Sequence, residues 1–134
     1  FNVEALRLHY TDAVNLDFTR ENALEFLKDK FKTTIQLPPT LFLDGHVQAR
    51  PKSFSWQATF EEDQPDGSIT IRFSTGERNS RPALIWETIV ESTGKQLPPL
   101  PGGFSGWLIQ AHTLTDDWFF KFIEGDLERD FSGE

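Results

Sequence analysis

His112 and Asp116 are the two residues of this chain whose types and spacing could do chemistry together. Four positions apart on a helix, an imidazole and a carboxylate are neighbours on one face. The carboxylate could hold the ring in one tautomer so that it serves as a general base, or both could ligate a metal. Two ligands make no metal site, and the sequence holds no HExxH and no second histidine pair. The plainer reading is structural, with Asp116 orienting the imidazole at a helix edge.

Nothing else completes a catalytic set around that pair. The absence of cysteine removes thiolate nucleophiles, thiolate metal sites and disulfides together, and it fits a reducing compartment. Gly103-Phe104-Ser105-Gly106 lacks both the GxSxG spacing and a preceding strand. Gly102-Gly103 at a helix start could cradle an anion through free amides. Without GxGxxG or a lysine at Walker spacing, it reads as an entry turn, and no cofactor is expected. His9 and His46 have no assignable partner, and Glu87 reads equally as a buried acid or an edge residue.

The chain has 134 residues, the size of a single domain, with 13 Phe and 4 Trp to build a core. Acids outnumber bases 21 to 13 and the net charge is −8, which argues against nucleic-acid binding, because phosphate neutralisation requires a basic face. The local basic set Arg50, Lys52, Arg72, Arg78 and Arg81 reads as solvated loop charge, with anion contact as the alternative. No apolar run reaches the ~20 residues of a membrane span. The chain opens on Phe1-Asn2-Val3 and contains no methionine, which suggests a fragment, a processed product or a trimmed chain.

The elements that must position these residues follow from periodicity. Leu6, Leu8 and Tyr10 alternate with Ala5, Arg7 and His9, and Val14, Leu16 and Phe18 continue the even face past a bulge at Thr11-Asp12. Thr19 as N-cap, with Ala23, Leu24, Leu27 and Phe31 at helical spacing, predicts a helix over about 20–31. Residues 41–49 read as a strand with a bend at Gly45. Phe54, Trp56, Ala58 and Phe60 alternate, as do Ile69, Ile71 and Phe73, which predicts a hairpin around an acidic loop ending in Asp66-Gly67. A loop over 75–82 leads into a strand over 83–91. Leu84, Trp86 and Val90 lie on one of its faces and Ile85 and Ile89 on the other, as in an interior strand or one meeting another domain.

From Gly102 onward the pattern is one long helix with an unusually broad apolar arc. Phe104, Trp107, Leu108, Ala111, Leu114, Trp118, Phe119 and Phe122 share one stripe. Ile109, Phe120, Ile123 and Leu127 form a second strip beside it. Gln110, Asp117, Lys121, Glu124 and Glu128 face away, Gly125 ends the regular part, and 126–134 is acidic. The predicted fold is α+β, a curved antiparallel sheet of about five strands packed on the long C-terminal helix in the order β-α-β4-α. That arrangement is similar to TATA-box-binding-protein-like and helix-grip architectures.

Residues 107–120, the strand 83–87 and the opening Leu6-Arg-Leu-His-Tyr10 ahead of Leu37-Pro-Pro39 resemble the C-terminal half of a sporadically distributed bacterial family. Its members are roughly twice this length and have no assigned activity. Where that family often carries an arginine before the opening tyrosine, this chain has His9. The resemblance implies a bacterial cytoplasmic protein with a missing N-terminal half, and it transfers no site residues.

Two functional readings follow. In the first, the chain is a non-enzymatic binding or protein-interaction domain. Ile85, Ile89, Phe120 and Ile123 would meet the missing half or a second copy, and Trp56, Trp86, Trp107 and Trp118 with His112 would line a pocket for a small apolar ligand. Simple packing of the four indoles is the competing account. In the second reading the chain is a hydrolase in which His112 acts as base and Asp116 orients it.

Overall fold

The computed structural model describes residues 3–123. The expectations for Glu124, Gly125, Leu127, Glu128 and the acidic stretch 126–134 lie outside the described residues. The chain forms β1 (Ala5–Asn15), α1 (Ala23–Lys30), β2 (Ser55–Asp63), β3 (Asp66–Arg78), β4 (Arg81–Thr93) and α2 (Phe104–Ile123), with 3-10 turns at Pro39–Phe42 and Gly94–Gln96. The fold is α+β. The strands make one open antiparallel sheet in the order β1-β4-β3-β2.

Alternation sorts the sheet into two faces. Leu84, Trp86, Thr88, Val90 and Ser92 of β4 and Ile69, Ile71 and Phe73 of β3 are buried on the side that α1 and α2 cover. The opposite side carries cross-strand polar pairs. Arg7 Nη2 meets Glu91 at 2.8 Å, Arg72 bridges Gln57 at 2.9 Å and Glu87 at 2.6 Å, and Thr59 meets Thr70 at 2.9 Å. Such pairs let one face of an antiparallel sheet remain in water. Glu87 is therefore an ion-paired residue of the outer face.

Five local expectations require correction. The sheet has four strands among the described residues, because 41–49 makes no strand. Pro38 and Pro39 start a 3-10 turn there, and Leu41, Leu43 and Val47 alternate without a partner strand and stand exposed. Helix α1 starts later than expected, since the Asn22 carboxamide oxygen caps the amides of Leu24 and Glu25 at 3.0 and 3.4 Å. The Thr19 hydroxyl instead donates to Asp17 at 2.6 Å, which lowers the Asp17 carboxyl below its ordinary range. Helix α1 ends where Lys32 adopts φ 55° and the Thr33 amide returns to the Leu27 carbonyl.

Strand β1 pairs one-to-one with β4 from Ala5 to Asn15, with no bulge at Thr11-Asp12. The β2–β3 turn falls at Gln64-Pro65 rather than at Asp66-Gly67. Gly67 belongs to the sheet, where a Cβ would run into the Glu91 carbonyl and the Ser92 hydroxyl. The polar run 75–82 is strand at both ends, folded at Asn79-Ser80 with φ of 55° and 64°, the positive-φ pair of a type I′ hairpin.

Two apolar clusters lie between the sheet and the helices. The larger joins Leu16, Ala23, Leu27, Phe31, Ile71, Phe73, Leu84, Trp86 and Ile123. Its rings interlock, with Phe31 edge-on to Trp86 at 4.9 Å and Phe119 stacked on Trp86 at 5.1 Å. The smaller holds Ile69, Val90, Trp107 and Ala111, and Trp118 packs against both. Helix α2 therefore rests on the sheet along its whole length. No helix among the described residues is long and apolar enough to cross a membrane.

Candidate functional site

The site begins with the parity of β1. Its unbroken register puts Tyr10 and Asp12 on the face towards α2, opposite Thr88 and Trp86 of β4. Helix α2 passes over this corner and contributes Thr115, Asp116, Phe119 and Phe120. With Tyr10, Asp12 and Thr88 they line an open cleft of about 340 Å³.

One wall is aromatic and rigid. Phe119 lies parallel to Trp86, at an interplanar angle of 10°, and Phe120 stands edge-on to Phe119 at 5.5 Å. The other wall is acidic. Neither Asp12 nor Asp116 accepts a hydrogen bond from a side chain among the described residues, and no basic side chain lines the cleft. Burial raises the Asp12 carboxyl above its ordinary value. Loss of solvation, then the charge of Asp116, raises the Tyr10 phenol.

His112 sits at the rim. Its ring nitrogens lie 2.8 Å (Nδ1) and 3.1 Å (Nε2) from the Tyr10 hydroxyl, and its backbone carbonyl accepts from the Thr115 hydroxyl at 3.0 Å. The structure thus gives His112 a tyrosine partner, while Asp116 turns its charge toward the same tyrosine. Among the described residues no group of three or more His, Asp or Glu could hold a metal ion.

The four tryptophans are distributed through the molecule. Trp86 is built into the ring stack, and Trp56 packs against Phe73 at 6.0 Å. Trp107 is buried under the start of α2, and Trp118 borders an open cleft with Phe31, Lys32, Lys121 and Phe122. Ile85 and Ile89 lie half-buried on the outer sheet face, where the Ile85 side chain folds over Gly76. Phe120 is 53% exposed on α2 and Ile123 is 0% exposed in the larger core cluster.

Asp12, Thr88 and Thr115 are the cleft residues that motif reasoning passed over. The signal for Asp12 was its even number, which places it in line with Leu8 and Tyr10 once β1 runs without a bulge. Comparison with protein-family models, with curated proteins and with solved structures returns no match.

Proposed function

We propose that this chain is a non-enzymatic binding domain whose small ligand sits between β1 and α2. The observation that carries the reading is the composition of the cleft: two carboxylates and a phenol against two phenylalanine rings, with no cation among the described residues that line it. Its complement is an apolar body bearing a positively charged nitrogen. The carboxylates would take the charge and the Phe119 and Phe120 faces would take the body, with a cation–π contribution. The net charge of −8 favours the approach of such a ligand.

The element order, with the long last helix laid on the sheet, accords with a helix-grip-like layout in which ligands lie between sheet and helix. The hydrogen bond of His112 to Tyr10 favours this reading over the hydrolase, in which Asp116 would orient the imidazole. A missing N-terminal half or a second copy remains part of the proposal, with exposed Phe104 and Ile109 on α2, away from the ligand cleft lining, as its contact residues.

Calorimetric titration with phenethylammonium and its neutral alcohol analogue tests the binding reading. The wild-type protein should bind the ammonium and not the alcohol, and Asp12→Asn and Asp116→Asn should each weaken binding by roughly tenfold, the scale of one charge-assisted contact. Equal binding of the two probes, or none of either, overturns it.

A further inference from the structure

A second acid lies beneath the other flank of α2. Glu62 is the last inward-facing residue of β2, paired across the sheet with Gly67. Glu62 lines a cleft of about 430 Å³ together with Asp63, Gln64, Ile109, Gln110, Thr113, Leu114 and Asp117. Each of the two Glu62 carboxylate oxygens exposes less than 1 Å² to solvent, and neither has a hydrogen-bond partner. A carboxylate shielded in this way is tolerated when neutral and costly when charged.

Among the described residues no cation lines that cleft to offset the charge. On β2 the neighbour is Asp63, and Asp66 lies opposite Asp63 in the register. On α2 the facing charge is Asp117, whose carboxylate already accepts from Lys121 at 2.7 Å. Gln64, Gln110 and Thr113 are uncharged.

We infer that Glu62 is a proton-operated latch: protonated, it lets α2 lie closed over the end of β2, and ionised, it loosens that flank of the helix. The inference rests on the packing under α2 and is independent of the ligand reading. Burial, then the charge of Asp63, raises the Glu62 carboxyl to about 7, so the latch switches in the neutral range. Because the closed state holds the proton more tightly than an opened one, closure is favoured below this value and weakens as pH rises through it.

The test is native-state hydrogen exchange of the α2 amides between pH 5.5 and 8.5, corrected for intrinsic exchange. Protection of residues 109–117 should fall by roughly tenfold or more across this range in the wild-type protein. In Glu62→Gln it should stay level. Should that variant not fold, the Glu62 carboxyl carbon and the α2 amides can be followed by NMR in the wild-type protein, where they should titrate with one common midpoint. Unchanged α2 protection, an equal fall in Glu62→Gln, or α2 shifts that ignore the Glu62 midpoint would each overturn the latch.

Discussion

The indole Nε1 of Trp107 donates to the Ser92 hydroxyl at 2.8 Å, tying the first turn of α2 to the end of β4 inside the core. Ser92 in turn donates to the Asp66 carbonyl at 2.5 Å. Three elements that share no local sequence are thus joined through one small hydroxyl, which accepts from one partner and donates to the other.

Ser92→Ala should therefore cost more than the loss of one bond. It leaves the Trp107 N–H buried without an acceptor and removes the donor to Asp66. A destabilisation of about 1–3 kcal/mol is expected, read as a lower urea midpoint at unchanged m-value. An unaltered midpoint would show that the indole finds another acceptor.

Gly67→Ala should disturb the same corner from the opposite side. Its new methyl group would meet the Glu91 carbonyl and the Ser92 hydroxyl. We expect a loss of at least ~1 kcal/mol accompanied by shifts in the Trp107 indole resonance. Gly45→Ala, with open space around it, is the comparison; its cost should come from backbone strain at φ 76° alone.

Asp12 gives a pH prediction with a definite sign. Its folded-state value is raised by burial, so the native state holds its proton more tightly than the unfolded chain. The stability it contributes is fully present below the unfolded value and is lost as pH rises through the folded one. Asp12→Asn should therefore be more stable than the wild-type protein at pH 7, with the difference shrinking toward pH 3. A constant difference across that range would assign the effect to packing.

Tyr10→Phe removes the hydroxyl that holds His112 and leaves the ring in place. The pair is largely exposed, so stability should change by less than about 1 kcal/mol. The His112 ring nitrogen shifts, which report its tautomer, should move clearly. If they do not, the 2.8 Å contact does not set the ring.

The helices and the β2–β4 meander were legible because alternation and 3.6-residue spacing record burial directly. Trp86 and Phe73 on one face, and Trp107 and Ala111 on one stripe, follow from number alone. The 41–49 stretch misled because parity shows that a strand would be amphipathic and cannot show that a neighbour exists to pair with it. The run 75–82 misled for the opposite reason. Its residues are polar because the hairpin end projects into water, although the backbone is paired on both sides of the Asn79-Ser80 turn. The cleft was half legible. Asp116 and His112 drew attention through their spacing, whereas Asp12 and Thr88 acquire meaning only from the β1–β4 register, a contact between distant parts of the chain.

That same register sets an order of assembly. The β2–β3 and β3–β4 pairs close across tight turns, while Arg7 meets Glu91 across 84 positions of chain. Loop closure of that length is slow and yields no contacts until it is complete. The meander should therefore acquire protection early, and β1 should dock onto a preformed edge as a late event, as pulse-labelled exchange during refolding would reveal. Because β1 supplies Tyr10 and Asp12, the cleft would be the last part of the molecule to come into being, and a newly made chain would have its core before its candidate binding site.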